Sequence, residues 1–536
     1  MRKRKLEIKL IFAAISLFFL VFLTAPLLVL LGKSFDSGAG LNVANYTAVI
    51  GDKSTVTTVM NSVKVSLLAA MITTVLAFFL SYTVNCTKIC RNLKRIITVG
   101  VLAPMLLPTI TYGFAIIYSF GKQGLLTKLF GRELFAIYGF SGLLLGYVIY
   151  TLPPAFLLLN NSFGYIDKKF MIVSALMGDG VWRRFSNTVL RPLVGTIGGA
   201  FILSFILSFT DFGIPASVGG TYDVIATELY QVMLGSIPDF HKGSAVAMLM
   251  LLPAVGGVLF LQYLERFNFH YENFSTVDLP DSRLRDWSLA VISIVLVVAM
   301  LSVFLVMFVA PLVKNYPYDM SFSLQFVQKA LFTNAILGIY QNSVLVAGAS
   351  AIIGTAIAYS AAVINVRTAI GRPAKFTLDL LAMVTNTVPG MVLGLAYLLL
   401  FNDSDIKGTF LIIVVCNIVH FFATPYLMAK NSLGKLNPAW ETTAELMGDT
   451  WIKTIFRVII PNSAATIVEM FGYYFINAMV TISAVIFLVT ARTSVVTSKI
   501  KELQHFASFN EIFVLSILIF ITNLAVKAVC DRVNEK

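Results

Sequence analysis

The chain has 536 residues, 58% of them hydrophobic and 12% charged, and its mean hydropathy is +0.84. Soluble domains carry roughly 25% charged residues, so a soluble fold is excluded. The net charge of +13 is spread over the short segments between apolar runs, which reads as membrane topology; no nucleic-acid partner is expected.

Twelve stretches are long enough to cross a bilayer core, which takes roughly 20 apolar residues as helix. In chain order they lie near 10–32, 60–84, 96–120, 137–158, 194–216, 244–264, 287–313, 342–365, 376–401, 408–429, 463–490 and 510–529. Their apolarity is continuous, whereas barrel strands would alternate. The expected fold class is all-α: a polytopic membrane protein of about twelve helices, with membrane lipid around it. The basic start Met1-Arg2-Lys3-Arg4-Lys5 precedes a run too long for a signal-peptide core and reads as the flank of an uncleaved first span. With both termini placed in the cytoplasm, 27 of the 40 Lys and Arg fall inside and 13 outside, the bias expected of cytoplasmic loops.

After the second span come Cys86 and Cys90, four apart and able to share a helix face; two ligands do not complete a metal site, and none is expected. By this topology no cysteine lies in an outside loop, so no structural disulfide is expected. In the third span Leu107-Pro108 with Gly113 breaks or thins the helix, and Val388-Pro389 with Gly394 repeats the pattern in the ninth. Freed backbone at Pro108 and Pro389 is placed on a substrate path, with plain packing kinks as the alternative. Asp211, near the outer end of the fifth span, either meets a cationic or metal-bearing substrate or is satisfied by headgroup water. Glu469, eight residues after Pro461, faces the path or bonds a neighbouring helix. Buried ionisable groups in spans carry function by default because burying them is costly. Asn417 and His420 in the tenth span read as interhelical hydrogen bonds.

The chain is written twice. Residues 161–179 (NSFGYIDKKFMIVSALMGD) and 431–449 (NSLGKLNPAWETTAELMGD) match at seven of nineteen positions at an offset of 270. Each half holds six spans, an even number, so the halves run in parallel and imply a pathway between them. The expected domains are a first half over 1–264, a cytoplasmic linker over 265–286 and a second half over 287–536.

The best-matched stretch is a cytoplasmic loop, which bilayer burial does not explain. Asn437 suits an N-cap, Pro438 the first helical position and Gly448 the residue after the helix end. Asp167 and Gly178 hold the equivalent places in the first copy. Each copy predicts a helix of about ten residues, roughly 15 Å long. Ser174 and Ala444 are small at matched positions and permit close approach to another surface. Trp182 and Trp451 follow, then Pro192 and Pro461 at the start of the next span. Two readings fit: a plug that docks on a cytoplasmic partner, or an amphipathic helix resting on headgroups.

Thr442-Thr443-Ala444, Gly448 and Val458-Ile459-Ile460-Pro461 resemble the signature loop of permease subunits in bacterial binding-protein-dependent ABC importers, Glu-Ala-Ala followed by Gly and then Ile-x-Leu-Pro. Ile172-Val173-Ser174, Gly178 and Val189-Leu190-Arg191-Pro192 fit it less closely. Glu441 stands one residue before the family's acid, and the first copy has none. The resemblance covers nearly the whole chain. It implies that the loop helices are coupling helices seated on two copies of an ABC ATPase, which holds ATP and Mg. It implies an extracytoplasmic solute-binding protein as the other partner and a bacterial inner-membrane location. Thr210-Asp211-Phe212-Gly213-Ile214-Pro215 and Thr481-Ile482-Ser483-Ala484-Val485-Ile486-Phe487-Leu488 are similar to regions of ferric-iron and aminoethylphosphonate permeases, which makes ferric iron the first expected substrate and aminoethylphosphonate the second.

The chain carries no ATP-hydrolysing or other catalytic set. The nearest phosphate-loop match, Gly32-Lys33-Ser34, puts the required first glycine at Leu27. No cofactor is expected on this chain. Energy comes from a separate ATPase or, alternatively, from an ion gradient driving a two-half secondary transporter.

Overall fold

The computed structural model describes residues 2–38, 40–164, 166–167, 169–265, 282–332 and 334–534. Most of the linker expected over 265–286 therefore lies outside the described residues. Lipid offers backbone groups no hydrogen-bond partners, so apolar runs of this length close their bonds internally as helices. Among the described residues eight helices are long and apolar enough to cross a bilayer, and four bent helix pairs bring the total to twelve. The protein is an all-α polytopic membrane protein. A short hairpin, Val313–Asn315 with Asp319–Phe322, is an addition that the apolar pattern did not signal.

The bends fall at specific residues. Arg91–Leu106 and Thr109–Phe130 meet at 107° across Leu107-Pro108, and Arg372–Thr387 and Gly390–Leu400 at 103° across Val388-Pro389. Proline has no N–H to continue the helical ladder and clashes with the turn before it. Gly113 and Gly394 do not take part in the breaks. They lie within the following helices, where a neighbouring segment leaves no room for a side chain. The fifth and eleventh spans end earlier than their apolar runs suggest, at Thr210 and Val480, where the chain leaves the helix for irregular turns. Cys86 ends the second span while Cys90 stands just before the next helix, so the pair shares no helix face: Cys86 is buried and Cys90 exposed, and no disulfide joins any of the four cysteines.

The chain divides into two compact units that do not follow the repeat boundaries. One unit comprises 1–49, 232–251 and 326–536; the other comprises 50–231 and 252–325. The first span thus packs with the second repeat, and the seventh span with the first repeat. In the former, Phe19 is fully buried against Phe422, with ring centroids 4.5 Å apart. The Tyr397 hydroxyl donates to the Phe22 carbonyl at 2.5 Å, within a π-helical turn at Leu20–Thr24. In the latter, Ser119 Oγ donates to the Val303 carbonyl at 2.8 Å, and the Asp286 carboxylate accepts the Lys88 N–H at 3.0 Å.

Small residues line the buried sides of the second span. Lys53–Cys86 packs along Phe140–Phe163 and buries Ala69, Ala70, Thr73, Ala77 and Ser81. Thr73 and Thr151 join their hydroxyls across that seam at 2.8 Å. Without a hydrophobic drive between helices in lipid, such close packing and hydrogen bonding holds them together.

Candidate functional site

Both loop helices are built by the same local chemistry. Lys169–Leu176 begins where Asp167 Oδ1 accepts the Lys169 N–H at 3.0 Å, and Ala439–Leu446 where Asn437 Oδ1 accepts the Ala439 N–H at 2.9 Å. Each side chain satisfies a donor that the helix start leaves open. Each helix ends in a Schellman turn: Asp179 N–H donates to the Ser174 carbonyl and Gly178 N–H to Ala175, and Asp449 and Gly448 repeat this with Ala444 and Glu445. Gly178 and Gly448 stand at φ +78° and +81°. A β-carbon at either would meet no atom, so the left-handed backbone alone calls for glycine. Eight helical residues make each helix about 12 Å long.

The turns present matching apolar tips. Leu176 and Met177 are 82% and 79% exposed, and Leu446 and Met447 are 84% and 79% exposed. Behind the tips Asp179 pairs with Arg183 at 3.3 Å, and Asp449 pairs with Lys453. Ser174 and Ala444 are buried within this chain, so the close approach their size permits is to the protein's own body. Ser174 Oγ donates to Asp179 at 2.7 Å. Asp167, Ser174, Asp179 and Pro192 line one cavity of about 230 Å³ beneath the first loop helix. Glu441 also turns inward and forms a part-buried two-pronged pair with Arg367 at the end of the eighth span. The tryptophans diverge: Trp182 is exposed and Trp451 buried.

Both copies then pass through a five-residue π-turn, Ser186–Leu190 and Ile455–Ile459, before Pro192 and Pro461. In the first half a continuous helical stretch runs on to Thr210. In the second the chain bends by 78° at Ser463, whose hydroxyl meets that of Tyr359 at 2.7 Å.

The broken third and ninth spans meet the turns that follow the fifth and eleventh. Asp211 is buried, its carboxylate accepting the Ile214 N–H at 2.8 Å and bonding Thr109, the residue after Pro108. The helix ends at Thr210, leaving the N–H groups of the next turn to be capped, and Asp211 caps them. Pro108 and Pro389 are both buried. Glu469 is exposed and accepts Asn534 Nδ2 at 3.2 Å, a contact to the last helix. The hydrogen bonds expected of Asn417 and His420 are not formed: the Asn417 amide and His420 Nδ1 are buried with no partner among the described residues.

One matched pair of clamps escaped the sequence reading. Ser62 Oγ accepts the Ile225 N–H at 2.7 Å, and Asn61 Nδ2 donates to the Asp223 carbonyl at 3.2 Å. Ser343 and Asn342 make the same two bonds to Val496 and Ser494, at 2.7 and 3.2 Å. The signal was present as Asn-Ser-Val at 61–63 and 342–344, an offset of 281 rather than 270.

Comparison with known proteins agrees with this doubled plan. The model of the family described as binding-protein-dependent transport system inner membrane component matches twice, over residues 87–268 and 354–535. The ferric transport system permease protein FbpB of Actinobacillus pleuropneumoniae is 25% identical over 504 residues, covering 91% of this chain and 72% of its own. The putative ferric transport system permease protein FbpB 1 of Haemophilus influenzae is 25% identical over 90% of this chain and 78% of its own. The thiamine transport system permease protein ThiP of Escherichia coli is 30% identical over 168 residues, covering 30% of this chain and 31% of its own.

Proposed function

The chain belongs to the family of binding-protein-dependent transport system inner membrane components, and on that premise we propose that it is the permease of an ATP-driven importer of ferric iron. The observation that carries the ATP-driven reading is the pair of capped loop helices with exposed Leu-Met tips. Apolar tips held on rigid turns suit burial in a partner's cleft. Each tip seats one ATPase subunit, which binds ATP and Mg, and a solute-binding protein delivers cargo on the opposite face. Both termini lie in the cytoplasm. Nucleotide-driven closure of the ATPases pulls on the two loop helices, and the π-turns at Ser186–Leu190 and Ile455–Ile459 pass that pull into the fifth and eleventh spans. ATP thus biases two packings of the spans, and hydrolysis resets them. Ferric iron as cargo is supported by relatives over nine-tenths of the chain that bear that name.

Proteoliposomes containing this chain, its ATPase and its binding protein test the reading. Radiolabelled ferric iron is expected to accumulate only with ATP on the ATPase side and loaded binding protein outside. Proton and sodium ionophores leave the rate unchanged, and excess aminoethylphosphonate or thiamine does not compete. Uptake that follows an ion gradient without ATPase identifies a secondary transporter instead, and competition by either organic solute reassigns the cargo.

A further inference from the structure

The two loop helices are held to the body by opposite chemistries at one matched position. The second span, Lys53–Cys86, and the eighth, Asn334–Arg367, each have 34 residues, so Cys86 and Arg367 are equivalent at an offset of 281. The Arg367 side chain, 5% exposed, lies at the neck of the second loop helix. Its guanidinium grips the Glu441 carboxylate through two nitrogens and donates to the carbonyls of Leu433 at 3.5 Å, Leu436 at 2.9 Å and Asn437 at 3.2 Å.

At the loop offset of 270, residues 433, 436 and 441 correspond to Phe163, Ile166 and Met171. Those three residues and Cys86 belong to one buried apolar cluster, completed by Val189 and Leu193. The same four places are therefore occupied in both halves, once by an ion pair with backbone carbonyls and once by thiol, thioether and apolar packing. The missing acid of the first copy is matched by a missing base in its second span.

We propose that Arg367 and Cys86 are positioning residues that fix the angle of the two loop helices, each through its own chemistry: Arg367 by its pair with Glu441, and Cys86 as part of the apolar cluster that holds Met171. Neither touches solute. The inference rests on the transport reading only for its effect on coupling; the clamp itself belongs to this chain alone. A guanidinium fork holds planar partners in one geometry. Removing it leaves the half-buried Glu441 charge unpaired, whereas replacing both partners by apolar groups of suitable shape is tolerated. Arg367→Cys with Glu441→Met therefore places the Cys and Met of the first half at the matched positions of the second, beside Leu433 and Leu436.

The full chain in lipid nanodiscs, with no partner present, gives the first readout. Amide exchange over 439–449 is expected to rise at least about tenfold in Arg367→Cys and to return to within about threefold of wild type in Arg367→Cys/Glu441→Met. The assembled importer gives the second: solute moved per ATP hydrolysed falls in the single variant and recovers in the double. If Arg367→Cys does not accumulate, the double variant is read alone and must accumulate with wild-type exchange. Unchanged exchange in Arg367→Cys, or a double variant no better than the single, overturns the proposal. A wild-type chain that binds no ATPase overturns the transport reading and leaves the exchange result standing.

Discussion

Replacing Leu446 and Met447 together by aspartate will lower ATP-driven uptake at least about a hundredfold while the chain still folds and accumulates. Folding is spared because both side chains are about four-fifths exposed; surface substitutions away from special features usually stay within about 0.5 kcal/mol. Docking is not spared. Fully burying a Leu or Met side chain is worth about 1.5–3 kcal/mol each, and the substituted carboxylates would be buried without partners at further cost. A loss of about 3–6 kcal/mol corresponds to roughly two to four decades in affinity. Leu176 and Met177 will behave alike, since their exposure is nearly identical. The readouts are uptake in proteoliposomes and the ATPase retained after mild solubilisation. Retention of ATPase with normal uptake would remove the tips from the mechanism.

The second large effect is steric and differs between two matched glycines. A β-carbon at Gly113 would overlap Ser217 Oγ and lie 2.6 Å from Ser217 Cβ, both side-chain atoms. A β-carbon at Gly394 would overlap the carbonyl oxygen of Ala484 and lie 3.2 Å from its carbon, both backbone atoms. Overpacking typically costs about 1–3 kcal/mol, and more where backbone must shift. Gly113→Ala will destabilise the chain and Gly113→Ala/Ser217→Gly will recover most of the loss. Gly394→Ala will cost about 3 kcal/mol or more, and no side-chain change at 484 will recover it. Thermal midpoints in detergent and membrane yield measure both. Equal tolerance of the two substitutions would mean that the broken spans do not pack on the turns after Thr210 and Val480.

What could be read from the sequence was whatever is encoded locally. Asn437 and Asp167 cap helices because their side chains reach N–H groups two residues on, and Gly448 and Gly178 end them because few other residues adopt positive φ. The bends at Pro108 and Pro389 follow from proline chemistry in the same way. What escaped depends on neighbours distant in sequence. Gly113 and Gly394 read as breaks because sequence does not show Ser217 or Ala484 facing them. Trp182 and Trp451 are the same letter at similar places in the repeat, yet only packing decides that one is exposed and the other buried. The bond from Asp211 to Thr109, a hundred residues away, is of the same kind. The placement of the first span with the second repeat left no trace in a comparison that aligns one half with the other. Arg367 and Ser62 lie where the two halves align at an offset of 281, out of step with the 270 of the loops.

The central claim is that both loop helices seat a separate ATPase. Single cysteines at Leu176 and at Leu446, in a chain whose exposed Cys90 is replaced by serine, measure it directly by cross-linking in the assembled transporter. The account predicts a chain–ATPase product from each position, with yields that change between nucleotide-free and ATP-bound states. Absence of any ATPase product from both positions, in a complex that still transports, would contradict it.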